Sequence, residues 1–194
     1  MRVDSAAQRL PAYLQPSVPS VFTFEITSHC QHQCVGCGNV FAHAGVDLRV
    51  TVWEQIFTAL RPYIKAVRIT GGEPTLHKEF AEILALADAL NVPMVVFSNG
   101  NWANPPTILS TLKKCRNLKG LLVSLHGADA ETYQRFTGVN GFDQTVANIR
   151  SAVSAGLSVA TNTLLLETTY QRIPEIATLV FSLGVSTASF GRYY

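Results

Sequence analysis

The sequence is short of charge. Asp, Glu, Lys and Arg supply 14% of its 194 residues, against roughly 25% in an average soluble domain. The net charge is +2 with no run of like sign, so the basic footprint of a nucleic-acid or anionic-membrane binder is absent. With 47% hydrophobic residues the chain is not a disordered tail either. No stretch reaches the roughly 18–20 apolar residues of a membrane span. The N-terminus, MRVDSAAQRLPAYLQPSVPS, has no continuous apolar segment and is broken by Pro11, Pro16 and Pro19. It does not read as a secretory signal; it reads as an extended arm over residues 1–20, ahead of one domain over residues 21–194. Cysteine is scarce and uneven: Cys30, Cys34 and Cys37 crowd together while Cys115 stands apart. Three close cysteines leave one over in any disulfide scheme, and without a leader they read as metal ligands in a reducing, cytoplasmic compartment.

What is present is a regular beat. Short apolar or β-branched runs start near Val21, Ala66, Pro93, Leu121, Ser158 and Thr187, with helical periods between them. Thr51 and Glu54 have capping-box spacing, ahead of Trp53, Ile56, Phe57 and Leu60 on one face. The next helix buries Phe80, Ile83, Leu84 and Ala87. A third opens at Pro105-Pro106 with Ile108, Leu112 and Cys115 aligned, which makes Cys115 a core thiol. A fourth carries Phe142, Val146, Ile149 and Val153, and a fifth runs from Pro174 to a glycine stop at Gly184. On the first strand Phe22, Phe24 and Ile26 alternate toward the core. Strands such as VPMVVFS are apolar on both faces, as in a parallel sheet covered by helices. The expected fold is α/β, a partial (β/α)6 TIM-like barrel of six parallel strands without a sixth helix, since a full barrel needs about 250 residues.

Function in such folds gathers at the C-terminal ends of the strands, and the unusual residues fall there: ITSHCQHQCVGCGN, ITGGEPTLH, FSNGN, SLHG and ATN. Three thiolates spaced C-x3-C-x2-C can hold three irons of a [4Fe–4S] cluster and leave the fourth open. The alternative is a structural zinc site completed by His29, His32 or His43. Trp102 reads either as a substrate contact or as an aromatic closing the barrel edge. His126 reads as a substrate contact or proton carrier, or as a merely solvated rim residue.

Together CQHQCVGC and Gly71-Gly72-Glu73-Pro74 resemble the two signatures of the radical S-adenosylmethionine (SAM) superfamily, and the resemblance spans roughly Phe22 to Phe190. It implies that Cys30, Cys34 and Cys37 hold a [4Fe–4S] cluster. One electron from it cleaves SAM to a 5′-deoxyadenosyl radical, which abstracts hydrogen from substrate. It also implies that Gly71, Gly72, Glu73 and Pro74 meet the methionyl ammonium, with Ser98 nearby. Ser124 and Arg135 would meet the carboxylate, and Asn162 the ribose. The ordinary readings are a plain turn for GGEP, a solvated helix residue for Arg135 and a buried amide for Asn162. One departure stands out: Gly36 sits where most members carry an aromatic beside the adenine, leaving Val35 or Phe41 for that role. The tone of GGEPTLHKEF and SLHGADAETYQRFTG is that of members that modify peptides or make cofactors, served by a flavodoxin- or ferredoxin-type electron donor. No cysteine follows Cys115, so the chain reads as a short member or a fragment without a domain for auxiliary clusters. A non-catalytic iron–sulfur or zinc scaffold on the same fold is the competing reading.

Overall fold

A computed structural model describes residues 20–38, 46–167 and 169–192. Phe41, His43 and all but Ser20 of the expected arm lie outside them. Among the described residues six strands form one sheet: β1 (Val21–Glu25), β2 (Ala66–Thr70), β3 (Met94–Ser98), β4 (Leu118–Ser124), β5 (Val159–Leu165) and β6 (Thr187–Arg192). They lie in sequence order, each parallel to the next. Strictly sequential order with right-handed crossovers curls a twisted sheet toward a barrel, with helices outside. Apolar residues on both strand faces serve that geometry. In β3, Met94 and Val96 are fully buried and Val95 and Phe97 half-buried.

Six α-helices among the described residues cover the sheet: α1 (Val50–Leu60), α2 (Phe80–Asp88), α3 (Pro105–Lys114), α4 (Ala130–Thr137), α5 (Phe142–Ser154) and α6 (Ile173–Ser182). Five were expected. The addition is α4, whose eight residues are mostly polar and make too short a periodic run to stand out. It exists because both ends are capped. Asp129 and Thr132 form a reciprocal capping box at its start, and Gly138 closes it at φ 74°. The capping box expected at Thr51 and Glu54 does not form: α1 starts earlier, at Val50, with no side-chain cap from Arg49. The Val50 N–H is taken instead by Glu79 Oε2 at 2.8 Å, a tertiary partner that local spacing cannot reveal. No helix follows β6 among the described residues, and no helix there is long and apolar enough to cross a membrane.

Trp102 proves to be core, 2% exposed, with its indole N–H on Ser98 Oγ at 2.8 Å. Cys115 is half-buried at the end of α3 and packs against the core as expected. Phe24 packs edge-on to Phe57 (4.9 Å between centroids) and to Trp53 (6.0 Å), which fastens α1 to β1. Each such side chain contributes on the order of 1.5–3 kcal/mol on burial.

Candidate functional site

The loop after β1 carries the three clustered cysteines and is held from two sides. On one side is the turn after β2. The Gly72 N–H donates to Thr27 O and the Glu73 N–H to His29 O, both at 2.8 Å. Gly71 sits at φ 145°, and a Cβ there would run into the Thr27 carbonyl. Glycine is required by both conformation and space. On the other side is the C-terminus of α4, whose last carbonyls have no intrahelical partner. They accept from the loop: Gln33 N–H to Thr137 O at 2.8 Å and Val35 N–H to Phe136 O at 2.9 Å. Between Cys34 and Cys37 the chain turns with Gly36 at φ 71°. An aromatic residue would be strained at that φ.

The three thiols, none in a disulfide, face a cavity of about 260 Å³ at the C-terminal end of the sheet. Gly71, Gly72, Ser98, Asn99, Ser124 and His126 border it, and Val35, Phe97, Phe136 and Leu164 give it an apolar wall. Burial, then the neighbouring thiols Cys30 and Cys37, push Cys34 up to about 12. Burial also raises Cys30, against the His32 N–H and the Asn99 amide. A positive group among the thiols reverses that balance, because a coordinated thiol is deprotonated. His126 is 5% exposed and held down to about 4 by burial, with a smaller contribution from His32. Its Nδ1 accepts the Leu164 N–H at 3.1 Å and its ring lies 4.1 Å from that of Phe136. A neutral imidazole that accepts at Nδ1 carries its proton on Nε2. His126 is therefore a buried neutral donor, not a solvated rim group.

The structure does not gather every residue singled out in the sequence. Ser98 and Ser124 border the cavity with the cysteines, Gly36, Gly71, Gly72 and His126. Glu73 is fully buried behind it. Its carboxylate accepts from Ser98 Oγ (2.9 Å), the Asn99 N–H (2.7 Å), Thr75 Oγ1 (2.6 Å) and the Thr75 N–H (3.2 Å). Burial outweighs those donors and raises its pKa. Pro74, itself buried, starts the short 3-10 turn Pro74–Leu76, whose Leu76 is exposed. Arg135 is on the outer surface of α4, paired with Glu131 at 2.7 Å. Asn162 stands beside Ser124 in the sheet register but does not line the cavity.

The sequence model of the Radical SAM superfamily matches residues 24–180. The chain belongs to the radical SAM superfamily. Members of this superfamily are enzymes that use a [4Fe–4S] cluster and SAM. Among curated relatives, a "Probable GTP 3',8-cyclase" of Saccharolobus islandicus is 34% identical over 94 residues, 48% of this chain and 30% of that protein. One from Sulfurisphaera tokodaii is 29% identical over 126 residues, 63% and 39% of the respective chains. Among solved structures, SuiB of Streptococcus suis bound to S-adenosylmethionine superposes with a TM-score of 0.82 at 18% identity, over 92% of this chain and 41% of that one. Native anSMEcpe with bound AdoMet gives 0.73 at 14%, over 89% and 51%. At these identities the likeness shows the fold, and this chain spans from 30% to 51% of the length of those proteins.

The donor set suits the superfamily's cluster. A [4Fe–4S] cluster takes one thiolate per iron, so its ligands share a cavity without converging on a point. No group of three His, Cys, Asp or Glu side chains among the described residues converges on a single ion. His29 is turned to Asp47 at 3.9 Å and His32 to Asn101 at 3.4 Å, rather than to the thiols. The zinc arrangement is thus not assembled with either of them. Sequence reading missed Asn99, Phe97 and Phe136 as cavity residues and took His32, which also borders the cavity, only as a candidate zinc ligand. FSNGN held the only signal for Asn99; the two phenylalanines look like core in any sequence.

Proposed function

We propose that residues 21–194 form the core of a radical SAM enzyme that generates a 5′-deoxyadenosyl radical and uses it to abstract hydrogen from a peptide or small-molecule substrate. The observation that carries this reading is one shared cavity for three free thiols, the Gly71-Gly72 turn and an apolar wall. Cys30, Cys34 and Cys37 would hold the cluster. When bound, cluster and SAM supply one-electron C–S cleavage and the carbon radical. The chain's own part is to bind, orient and shield. Close approach at Gly71 and Gly72 leaves room for the methionyl end of SAM, with Ser124 offered to its carboxylate. Val35, Phe97, Phe136 and Leu164 are the apolar surface available to an adenine, in place of the aromatic that Gly36 displaces. The same wall keeps water from the reacting centre. His126 Nε2–H is poised as a fixed donor to substrate.

The curated relatives named as GTP cyclases favour a small-molecule substrate, and SuiB, solved with its precursor peptide SuiA, favours a peptide. A flavodoxin- or ferredoxin-type donor in a reducing cytoplasm suits either. The decisive test is anaerobic reconstitution with iron and sulfide, addition of SAM and dithionite, and mass-spectrometric assay of 5′-deoxyadenosine beside Cys34→Ala. Product from the wild type alone is expected. A well-formed cluster without product favours the scaffold reading, and bound zinc with no cluster overturns the proposal.

A further inference from the structure

The loops after β1 and β3 are joined by a closed set of side-chain amide contacts. Asn99 Oδ1 accepts the Asn101 N–H at 2.9 Å. This fixes which end of the amide is oxygen, and hence where the NH2 group points. The Asn99 Nδ2 group donates to Gln31 Oε1 at 3.0 Å and to Cys30 Sγ at 3.7 Å. Gln31 answers with its own Nε2, on Asn101 O at 2.6 Å and Asn99 Oδ1 at 3.4 Å. Behind them the Glu73 carboxylate holds the Asn99 backbone N–H. Asn99 is 9% exposed, so little water competes for these contacts. Cys30 Sγ also receives the His32 N–H at 3.4 Å.

We propose that Asn99 is a positioning residue that donates its side-chain N–H to the Cys30 sulfur and thereby raises the reduction potential of a cluster bound there. The inference rests on the cluster reading above. One-electron reduction adds negative charge that spreads onto the thiolate sulfurs, and a donor fixed against one of them stabilises the reduced form more than the oxidised one. Hydrogen bonds to sulfur and solvent exposure are recognised means of setting such potentials. The Asn101 N–H on Asn99 Oδ1 leaves the amide no second orientation, so the donor is present before reduction and does not depend on Gln31.

The test is the cluster's midpoint potential, measured by EPR-monitored redox titration without SAM, so that any contact of Asn99 with SAM cannot move it. Asn99→Leu removes the donor at similar volume. It is expected to make reduction about tenfold less favourable, a shift of about 59 mV to lower potential for one electron. Gln31→Met breaks the amide pair but leaves the Asn99 donor, and is expected to stay near the wild-type potential. An unchanged potential in Asn99→Leu, or an equal shift in Gln31→Met, overturns the proposal. Hyperfine spectroscopy of the reduced wild type labelled with 15N-asparagine needs no variant to fold: a coupled asparagine nitrogen is expected, and its absence overturns the inference. A wild type that binds no cluster overturns the underlying reading as well; one that does, with any contrary result above, overturns only this inference.

Discussion

Glu73 is consumed by the protein itself. Its carboxylate accepts from three residues on two strand-end loops, and only an acceptor satisfies that many donors at once. Glu73→Gln puts an NH2 against them, so a loss on the order of 1–3 kcal/mol is expected in urea unfolding, the usual cost of orphaned buried groups. Unchanged stability would mean that the two loops hold without it. His126 makes a pH prediction. Its pKa in the fold is lowered to about 4, against about 6.5 for a free imidazole. Between those values the unfolded chain binds the proton and the folded chain does not, so stability is full above about pH 6.5 and falls as pH drops toward 4. A ring titration by NMR is expected to place His126 well below 6. A midpoint near 6.5 would contradict its burial against Phe136.

At the scale of elements, α4 is the surprise and the key to the cysteine loop. A helix of eight residues is marginal alone, so its caps decide whether it presents the Phe136 and Thr137 carbonyls to Gln33 and Val35. Asp129 accepts the Thr132 N–H at 2.8 Å and pairs with Arg172 at 2.9 Å. Those contacts, Thr132 foremost, hold its carboxyl below the usual range. The stability it lends is present above its unfolded pKa of about 4 and lost as pH falls through the lower folded value. Asp129→Ala is expected to cost about 1 kcal/mol at pH 7, with a smaller difference near pH 3, in parallel urea titrations. It should also lower iron uptake by loosening the loop that α4 holds. Normal iron uptake at reduced stability would separate the helix from the site.

At the scale of the molecule, the sheet has two edges. β6 is largely exposed along its length, and Phe181 on the neighbouring α6 is 86% exposed. A solvent-exposed outermost strand and an exposed aromatic favour association. Phe181→Lys is expected to shift the chain toward monomer in light scattering at high concentration while leaving its unfolding midpoint unchanged. A wild type that is already monomeric at those concentrations would remove the premise.

Sequence alone determined the alternation of strands and helices, and with it the parallel sheet. Two-faced apolar runs and glycine stops are local patterns whose only economical burial is under helices. It also determined the three thiols and the Gly71-Gly72 turn, because those residue types at those spacings are chemical signals in themselves. Tertiary structure decided what each side chain faces. α4 needed its caps and the loop docked on it; α1 took its start from Glu79, far along the chain. Glu73 turned inward and Arg135 outward, while Phe97, Phe136 and Asn99 came to the cavity. Period and composition specify which residues are buried, but the partners of a buried polar group lie across the sheet, where only folding brings them together.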